Sequence, residues 1–196
     1  MLKGRHCEHP ERLICGVVIA RAYSFRCYPE RVGQSPGEGS ALKIVEYSQR
    51  FERQINDYQL QDVTFTGLPR KAVAIAKTNM EYHPSLAVTS DNEVPTFFVL
   101  DYGTDKFRYT NTSRSMLLRS FSTDDRYLRK GYASEALALL PAYVRGSFPD
   151  VIEIVLGVNR KNVPAQRLYE KAGFERRADT FVGRRGEQFI YTMAIG

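Results

Sequence analysis

The sequence has no apolar run long enough to cross a membrane and too few cysteines for a disulfide framework. Its N-terminal apolar stretch, residues 13–20, is much shorter than the roughly 20 residues of a membrane-spanning helix. Acidic residues precede this stretch and no small-residue cleavage site follows it, which argues against a secretory signal. The three cysteines are odd in number and all lie within the first thirty residues, so we expect a reduced, cytoplasmic protein without a membrane partner.

Motifs for metals and for nucleotide phosphates are also missing. The set Cys7, His9, Cys15 and Cys27 matches no compact pair-and-pair zinc spacing, so we expect no metal site. Neither GxxxxGK followed by Ser or Thr nor GxGxxG occurs in a strand-to-helix context, which argues against the P-loop and dinucleotide-binding classes. The net charge of +6 and the pI near 9.3 are compatible with nucleic acid, a membrane surface or a polyanionic cofactor, and do not distinguish among them.

What is present indicates one folded domain with an N-terminal appendage. A chain of 196 residues with 43% hydrophobic content is long enough for one well-buried core and short for two. Residues 31–40, with the sequence RVGQSPGEGS, have the composition of a flexible connector. We therefore expect residues 1–40 to be a poorly ordered appendage and connector, and residues 41–196 to be the functional domain.

Hydrophobic periodicity predicts the secondary structure of this domain. Strands are predicted at residues 41–47, 84–91, 94–103, 115–123, 152–159, 179–183 and 186–195, and helices at 49–60, 70–80, 134–148 and 163–173. Ser48 is a candidate cap for the first helix, and Pro164 and Gly173 suit the start and end of the last. The helix between strands 115–123 and 152–159 forms a crossover, which makes those two strands parallel. We predict an α/β (α+β) fold with a mostly antiparallel mixed sheet flanked by helices.

The stretch YLRKGYASEAL, residues 127–137, indicates an anion site at a helix start. Gly131 and Ala133 let a ligand approach the backbone closely, and Arg129 and Lys130 favour a negative charge there. The unpaired amides of a helix N-terminus and its positive dipole end suit a pyrophosphate. An ordinary strand-to-helix turn with solvated cations is the alternative interpretation of this stretch alone.

A second segment, NRKNVPAQRLYEKAGF, follows the buried strand at 152–159. Taken together, the two segments resemble the GCN5-related N-acetyltransferase (GNAT) superfamily over residues 41–196, most closely over 117–174. The first family motif is Gln or Arg, two residues, Gly, any residue, then Gly or Ala. The sequence matches it from Arg129 to Ala133 but has Leu128 at the first position. Asn159, Asn162, Leu168-Tyr169 and Gly173-Phe174 match the second segment of the family.

The resemblance implies acetyl-CoA as cosubstrate, bound where the parallel strands splay apart. The cofactor-binding residues that it implies are Phe121, Ser122, Thr123, Arg129, Lys130, Gly131, Tyr132, Ala133, Ser134, Asn159 and Asn162. It implies Tyr169 as the general acid, because a phenol is protonated at pH 7 and can protonate a leaving thiolate. The alternatives are a core aromatic for Tyr169 and turn or cap chemistry for the two asparagines.

The resemblance further implies attack of a primary amine on the thioester through a tetrahedral intermediate, with a small molecule and in one branch a polyamine as acceptor. Some family members carry an acidic base on the strand where this sequence has Arg119, so the base is open. Asp101, Asp124, Asp125 or a water relay are candidates. The acidic residues Glu46, Glu52, Asp57 and Asp62 could bind a polycation, or could form a solvated helix face.

Other functions remain as alternatives. One is a CoA-binding regulatory module without catalysis, and another is acetylation of a protein or peptide N-terminus. An RNA-associated protein would use the basic and aromatic stretch KFRYTNTSR, residues 106–114. This stretch is also typical of a solvated connection, so no nucleic-acid partner is expected. Whether the chain forms a homodimer is open.

Overall fold

The computed structural model describes residues 42–196. The predictions for the appendage and connector at residues 1–40, including the cysteine and histidine set, lie outside the described residues. None of the helices between residues 42 and 196 is long and apolar enough to cross a membrane. Within the same range, no group of three or more His, Cys, Asp or Glu side chains could hold a metal ion.

Seven strands and four α-helices make up the described domain. The strands are β1 (Lys43–Glu46), β2 (Tyr82–Val88), β3 (Thr96–Asp101), β4 (Ser115–Thr123), β5 (Glu153–Asn159), β6 (Glu175–Gly183) and β7 (Gly186–Ala194). The helices are α1 (Glu52–Asn56), α2 (Pro69–Ala76), α3 (Tyr132–Ser147) and α4 (Val163–Lys171). Short 3-10 turns occupy Gln49–Phe51, Thr104–Arg108 and Asp125–Tyr127.

All seven strands form one sheet in the order β1-β2-β3-β4-β5-β7-β6. Within this sheet β4 and β5 pair parallel, and the other neighbours pair antiparallel. The long crossover through α3 accounts for the parallel pair, because a tight hairpin can join only antiparallel strands. The predicted fold class is confirmed.

Helices cover both faces of the sheet, and the fully buried strand β3 shows why. Phe98 and Leu100 belong to one hydrophobic cluster with residues of α3 and α4, whereas Phe97 and Val99 belong to another with residues of α1 and α2. Successive side chains of a strand point to opposite faces, so a continuous apolar run is buried from both sides.

The parallel pair opens partway along its length. Pairing between β4 and β5 runs from Ser115 opposite Glu153 to Leu117 opposite Val155 and ends there. On its other edge β4 has a bulge, where Ser120 adopts a φ of 54° and the register with β3 shifts. A bulge bends a strand and increases its twist. The ends of β4 and β5 therefore separate and leave a gap in the middle of the sheet.

The first helix is shorter than predicted. It ends at Asn56 rather than at residue 60, and Ser48 makes no side-chain cap hydrogen bond. Beyond the helix, the buried Tyr58 donates its hydroxyl hydrogen to the main-chain oxygen of Ser122, 2.9 Å away. The amide of Gln59 donates to Asp124 Oδ2 over 3.1 Å. These contacts with the end of β4 take the chain off the helical path, so tertiary packing overrides local propensity.

Candidate active site

The gap between β4 and β5 opens into a cavity of about 530 Å³, which we call the split cavity. It brings together parts of the chain that are far apart in sequence. Seven of the predicted site residues line it: Phe121, Ser122, Thr123, Ala133, Asn159, Asn162 and Tyr169. Leu128, which departs from the family motif, also lies on its wall and is half exposed.

The start of α3 adjoins this cavity and has the backbone of an anion site. Arg129 and Gly131 have positive φ angles of 61° and 86°. Gly131 is the N-cap and has no side chain to cap the first-turn amides, which are those of Tyr132, Ala133 and Ser134. The amides of a helix N-terminus have no partners within the helix, and the helix dipole adds positive potential. Lys130 Nζ lies 5.2 Å from the ring centre of Tyr127. These residues fit a phosphate group.

The end of β4 forms one side of the split cavity and is held by packing from outside it. Phe121 stacks on Phe98 with ring centres 5.9 Å apart. The Tyr58 hydroxyl binds Ser122, and burial raises the pKa of this phenol, so it stays a hydrogen-bond donor. Because β4 has no strand partner beyond Leu117 on its β5 side, its last residues keep backbone groups for a ligand. No local sequence pattern predicted this contact of Tyr58.

Tyr169 lies in the core and on the cavity wall at once. Its ring contacts Phe121 and Phe174, with ring centres 6.0 and 5.6 Å apart, and the side chain is buried. Burial raises the pKa of its phenol, which therefore keeps its proton at physiological pH. The core interpretation and the general-acid interpretation are thus compatible.

The two predicted asparagines differ in what they contact. Asn162 caps α4, since its Oδ1 accepts from the amide of Ala165 over 3.3 Å. Asn159 uses both ends of its amide within the chain: Nδ2 donates to the main-chain oxygen of Arg185 over 2.7 Å, and Oδ1 accepts from the amide of Lys161. The turn and cap chemistry left open by the sequence is therefore present at both positions.

Two of the three aspartates considered as general bases are paired with arginines, and the third lines the split cavity. Asp101 accepts from Arg119 Nη1 over 2.8 Å and from the amide of Gly103. Asp124 is fully buried and accepts from Arg126 and from the amide of Gln59. Asp125 lines the split cavity and accepts from the amide of Gln61. The geometry of Asp101 and Asp124 does not fit a base, because each carboxylate is already neutralised by an arginine.

A second cavity of about 330 Å³, which we call the arginine cavity, lies between the α1–α2 loop, the β3–β4 loop and the β6–β7 turn. Four arginines line it, against one aspartate; these are Arg108, Arg119, Arg184, Arg185 and Asp105. Eight residues line both cavities: Phe65, Thr66, Leu118, Arg119, Ser120, Gly157, Arg185 and Gln188. No sequence prediction identified this cluster, because its members come from strand β4, the β3–β4 loop and the β6–β7 turn, which are far apart in sequence.

Arg119 and Arg185 are held in place by several contacts each. Arg119 Nη1 lies 2.8 Å from Asp101 Oδ2 and 2.9 Å from Asp105 Oδ2. The hydrogen bond from Arg119 lowers the pKa of the Asp105 carboxyl, although partial burial alone would raise it. Arg185 Nη1 donates to main-chain oxygens of the α1–α2 loop, at 2.9 Å from Val63 and 2.6 Å from Thr64. Arg185 thus connects the β6–β7 turn to that loop.

The acidic residues considered for a polycation lie apart from both cavities, with one exception. Glu46 binds His83, and Asp57 lies 3.7 Å from Arg53 on an exposed face of α1. Of the four carboxylates considered for a polycation, Asp62 alone lines the split cavity. In the basic and aromatic stretch at residues 106–114, Lys106 is buried and donates to the main-chain oxygen of Tyr102. That lysine is not placed to bind a phosphate backbone.

This fold and site define an acyltransferase of the GNAT class, and comparison with known proteins agrees. Residues 98–174 match the Acetyltransferase (GNAT) family. A Bacillus subtilis protein named "Uncharacterized N-acetyltransferase YbbJ" is 37% identical over 130 residues, which is 66% of this chain and 81% of that protein. The chain therefore belongs to the GNAT acetyltransferase family. It is an N-acetyltransferase with acetyl-CoA as its cosubstrate, as the two sequence motifs predicted.

Solved structures share the fold at low sequence identity. The aminoglycoside acetyltransferase AAC(6')-Ib in complex with coenzyme A superposes with a TM-score of 0.63 at 15% identity, over 79% of this chain and 95% of that one. Spermidine N-acetyltransferase from Vibrio cholerae, in complex with CoA and spermine, gives a TM-score of 0.58 at 13% identity, over 78% and 95%. At such identities the likeness shows a common fold.

Proposed function

We propose that the protein acetylates a primary amine of a small molecule by direct attack of that amine on the acetyl-CoA thioester. The observation that carries the proposal is the meeting of two cavities at the open end of the β4–β5 pair. The split cavity adjoins the helix start that suits a pyrophosphate, and the arginine cavity reaches the same gap from the other loops. A cosubstrate and an acceptor can therefore enter by different routes and meet at β4.

The residues around the split cavity divide the work of holding the cosubstrate. The amides of residues 131–134 would bind the pyrophosphate, helped by the positive charges of Arg129 and Lys130. The backbone of Phe121 to Thr123, unpaired on its β5 side, would hold the pantetheine arm and the thioester oxygen. The Asn162 side chain lies at the start of α4 on the same wall. Acetyl-CoA supplies an activated acetyl group as a thioester.

The proton balance of the reaction assigns a role to Tyr169. The amine nitrogen forms a bond to the thioester carbon, the tetrahedral intermediate collapses, and the carbon–sulfur bond breaks. The nitrogen loses one proton to water, and the departing thiolate gains one. The Tyr169 phenol, which burial keeps protonated, is the proton donor for the sulfur. Water is proposed as the proton acceptor, since Asp101 and Asp124 are already paired with arginines.

The test is thiol release from acetyl-CoA by the purified full-length protein, with a panel of small amines that carry positive, negative or no additional charge. We expect thiol release only with the amines of one of these charge groups. The product should have the mass of the acetylated amine. Measurable binding of acetyl-CoA with no release for any amine would contradict the proposal. That result would favour the alternative of a regulatory CoA-binding module.

A further inference from the structure

We propose that the acceptor amine carries a carboxylate or phosphate group, and that Arg108, Arg119 and Arg184 in the arginine cavity bind this anionic group. The proposal rests on the proposed function, because it assigns the acceptor of that reaction. Arginine suits this role since its planar fork of N–H donors matches both carboxylate and phosphate oxygens.

The charge of the cavity supports an anion. Four arginines face one aspartate, Asp105, and that carboxylate already accepts from Arg119 and lies 3.2 Å from Arg108 Nη2. Its pKa is lowered, mainly by the hydrogen bond from Arg119, so it stays ionised and bound near pH 7. The remaining positive charge, on Arg184, Arg185 and part of Arg108, has no matching carboxylate among the residues that line the cavity. An anionic ligand would supply it.

Arg119 is held in a way that leaves donors for a ligand. Asp101 and Asp105 both accept from Nη1, so this one nitrogen fixes the guanidinium in position. Among residues 42–196, Nε and Nη2 of Arg119 make no hydrogen bond. Arg119 also lines both cavities, which places it between the bound anion and the site of acetyl transfer.

A polycationic acceptor does not fit this cavity. It would need carboxylates near its ammonium groups, and Asp105 is the single acidic residue among those that line the arginine cavity, whereas Asp62 and Asp125 line the split cavity. Hydrogen bonds from the side chain and the amide of Thr64 lower the pKa of Asp62, and the amide nitrogen lies 2.8 Å from Oδ1. An acceptor with several ammonium groups would instead face four guanidinium groups. The proposed acceptor class therefore differs from aminoglycosides and spermidine, the compounds in the names of two enzymes of the same fold.

The same arginines would help the amine to lose its proton. A positive charge close to an ammonium group disfavours the charged form and lowers its pKa. The neutral amine that attacks the thioester would then be populated near pH 7 without a carboxylate base. An electropositive acceptor site is thus consistent with arginine at the position where some relatives have an acid.

The test compares acceptors of matched length that differ in the charge at the far end. These are 4-aminobutanoate, butylamine and 1,4-diaminobutane, with O-phosphoethanolamine and ethanolamine as a second pair that separates phosphate from carboxylate recognition. With saturating acetyl-CoA, we expect kcat/KM for at least one anionic acceptor to exceed that of its uncharged partner at least tenfold. We expect 1,4-diaminobutane to fall below butylamine. The highest kcat/KM for 1,4-diaminobutane would overturn the proposal.

Failure of this inference can be distinguished from failure of the proposed function. If no acceptor releases thiol, the proposed function fails, and calorimetric titration of the CoA-saturated protein with 4-aminobutanoate and O-phosphoethanolamine decides the anion site. Binding of either compound supports the site, and binding of neither overturns it. If thiol is released without an anionic preference, the proposed function holds and the inference fails.

Variants assign the preference to particular residues. Arg184→Gln and Arg108→Gln should each raise KM for the anionic acceptor at least fivefold, with a smaller effect on kcat. The matched control is Arg177→Gln on β6, which makes the same charge change outside both cavities and near Asp179. It should leave the ratio of anionic to uncharged kcat/KM unchanged. If Arg184→Gln and Arg108→Gln both behave like the control, the assignment of these arginines is wrong.

Discussion

Asn159 Nδ2 lies 2.7 Å from the main-chain oxygen of Arg185, and this hydrogen bond ties the end of β5 to the turn between β6 and β7. From that turn, the Arg185 side chain reaches the carbonyls of Val63 and Thr64 in the α1–α2 loop. One asparagine thus supports a connection that spans the open end of the sheet. Its position next to the cofactor motif explains why the sequence suggests a cofactor ligand there.

The two interpretations of Asn159 give different results for Asn159→Ala. If the asparagine supports the β6–β7 turn, the variant raises KM for the acceptor severalfold and leaves the Kd of acetyl-CoA within about twofold. If Asn159 instead binds the cofactor, the variant raises the Kd of acetyl-CoA and leaves KM for the acceptor nearly unchanged. The reason is that the loss of one hydrogen bond to the cofactor costs about 0.5–1.5 kcal/mol. Steady-state kinetics with both substrates varied, together with a direct titration of acetyl-CoA, separates them. We expect the first pattern.

Tyr169→Phe removes a hydroxyl and keeps the ring that packs between Phe121 and Phe174. We expect kcat to fall by about 10²-fold, at the low end of the range for general acids, because a thiolate is already a good leaving group. The Kd of acetyl-CoA and the thermal midpoint should change little. Tyr143→Phe is the control, as it removes a partly buried hydroxyl of α3 outside both cavities. An unchanged kcat in Tyr169→Phe would exclude the proposed acid.

Leu128→Gln restores a side-chain donor at the position where the family usually has Gln or Arg. The leucine is half exposed on the wall of the split cavity, so the longer polar side chain fits without repacking the core. One added hydrogen bond to an anionic group should tighten acetyl-CoA binding by about threefold to tenfold. Leu128→Ala provides no donor and should give no gain. Equal Kd values for the two variants would show that the side chain at this position does not contact the cofactor.

Two glycines at opposite ends of α3 give opposite predictions. Gly131→Ala places a Cβ at a φ of 86°, which should destabilise the fold by about 1 kcal/mol and weaken acetyl-CoA binding by crowding its approach. Gly146→Ala lies inside the helix with open space around the added Cβ, and should stabilise it by about 0.8–1 kcal/mol. Urea unfolding and cofactor titration measure both effects. Unchanged acetyl-CoA binding in Gly131→Ala would argue against a pyrophosphate at this helix start.

Asp124 stabilises the contact between the end of β4 and the α1–α2 loop. Burial alone would raise the pKa of its carboxyl, but hydrogen bonds from Arg126 and from the Gln59 amide outweigh burial and lower that pKa from its usual value. Asp124→Asn should therefore reduce the free energy of unfolding at pH 7 by about 2–4 kcal/mol. The contribution of a carboxyl with a lowered pKa is present above its unfolded value and is lost as the pH falls through the folded pKa.

The measurement for Asp124→Asn is urea unfolding of variant and parent between pH 7 and pH 3. The difference between the two proteins should narrow as the pH approaches 3. Asp57→Asn removes an exposed carboxylate 3.7 Å from Arg53 and should leave stability almost unchanged. A difference between Asp124→Asn and the parent that stays constant across this pH range would show that the ionised carboxylate is not the stabilising group.

Local patterns were enough to predict most elements but not the acceptor side. The alternation and apolar content of residues 115–123 predicted β4 with its observed bounds, and Pro164 and Gly173 marked the start and end of α4. The arginine cavity has no such signal, because Arg108, Arg119 and Arg184 come from a loop, a strand and a turn that meet only in the folded domain. The contact of Tyr58 could not be predicted for the same reason, because its partner Ser122 is 64 residues away in the sequence.

The early end of pairing between β4 and β5 gives the sheet an edge in its interior. An edge strand offers unpaired backbone donors and acceptors to any extended chain, and at the rim of a protein it invites aggregation. Here the edge lies along the split cavity, where an extended molecule can pair with it. The pantetheine arm, with its two amides, is such a molecule, so during turnover the cosubstrate would act as a temporary eighth strand that enters and leaves with each cycle.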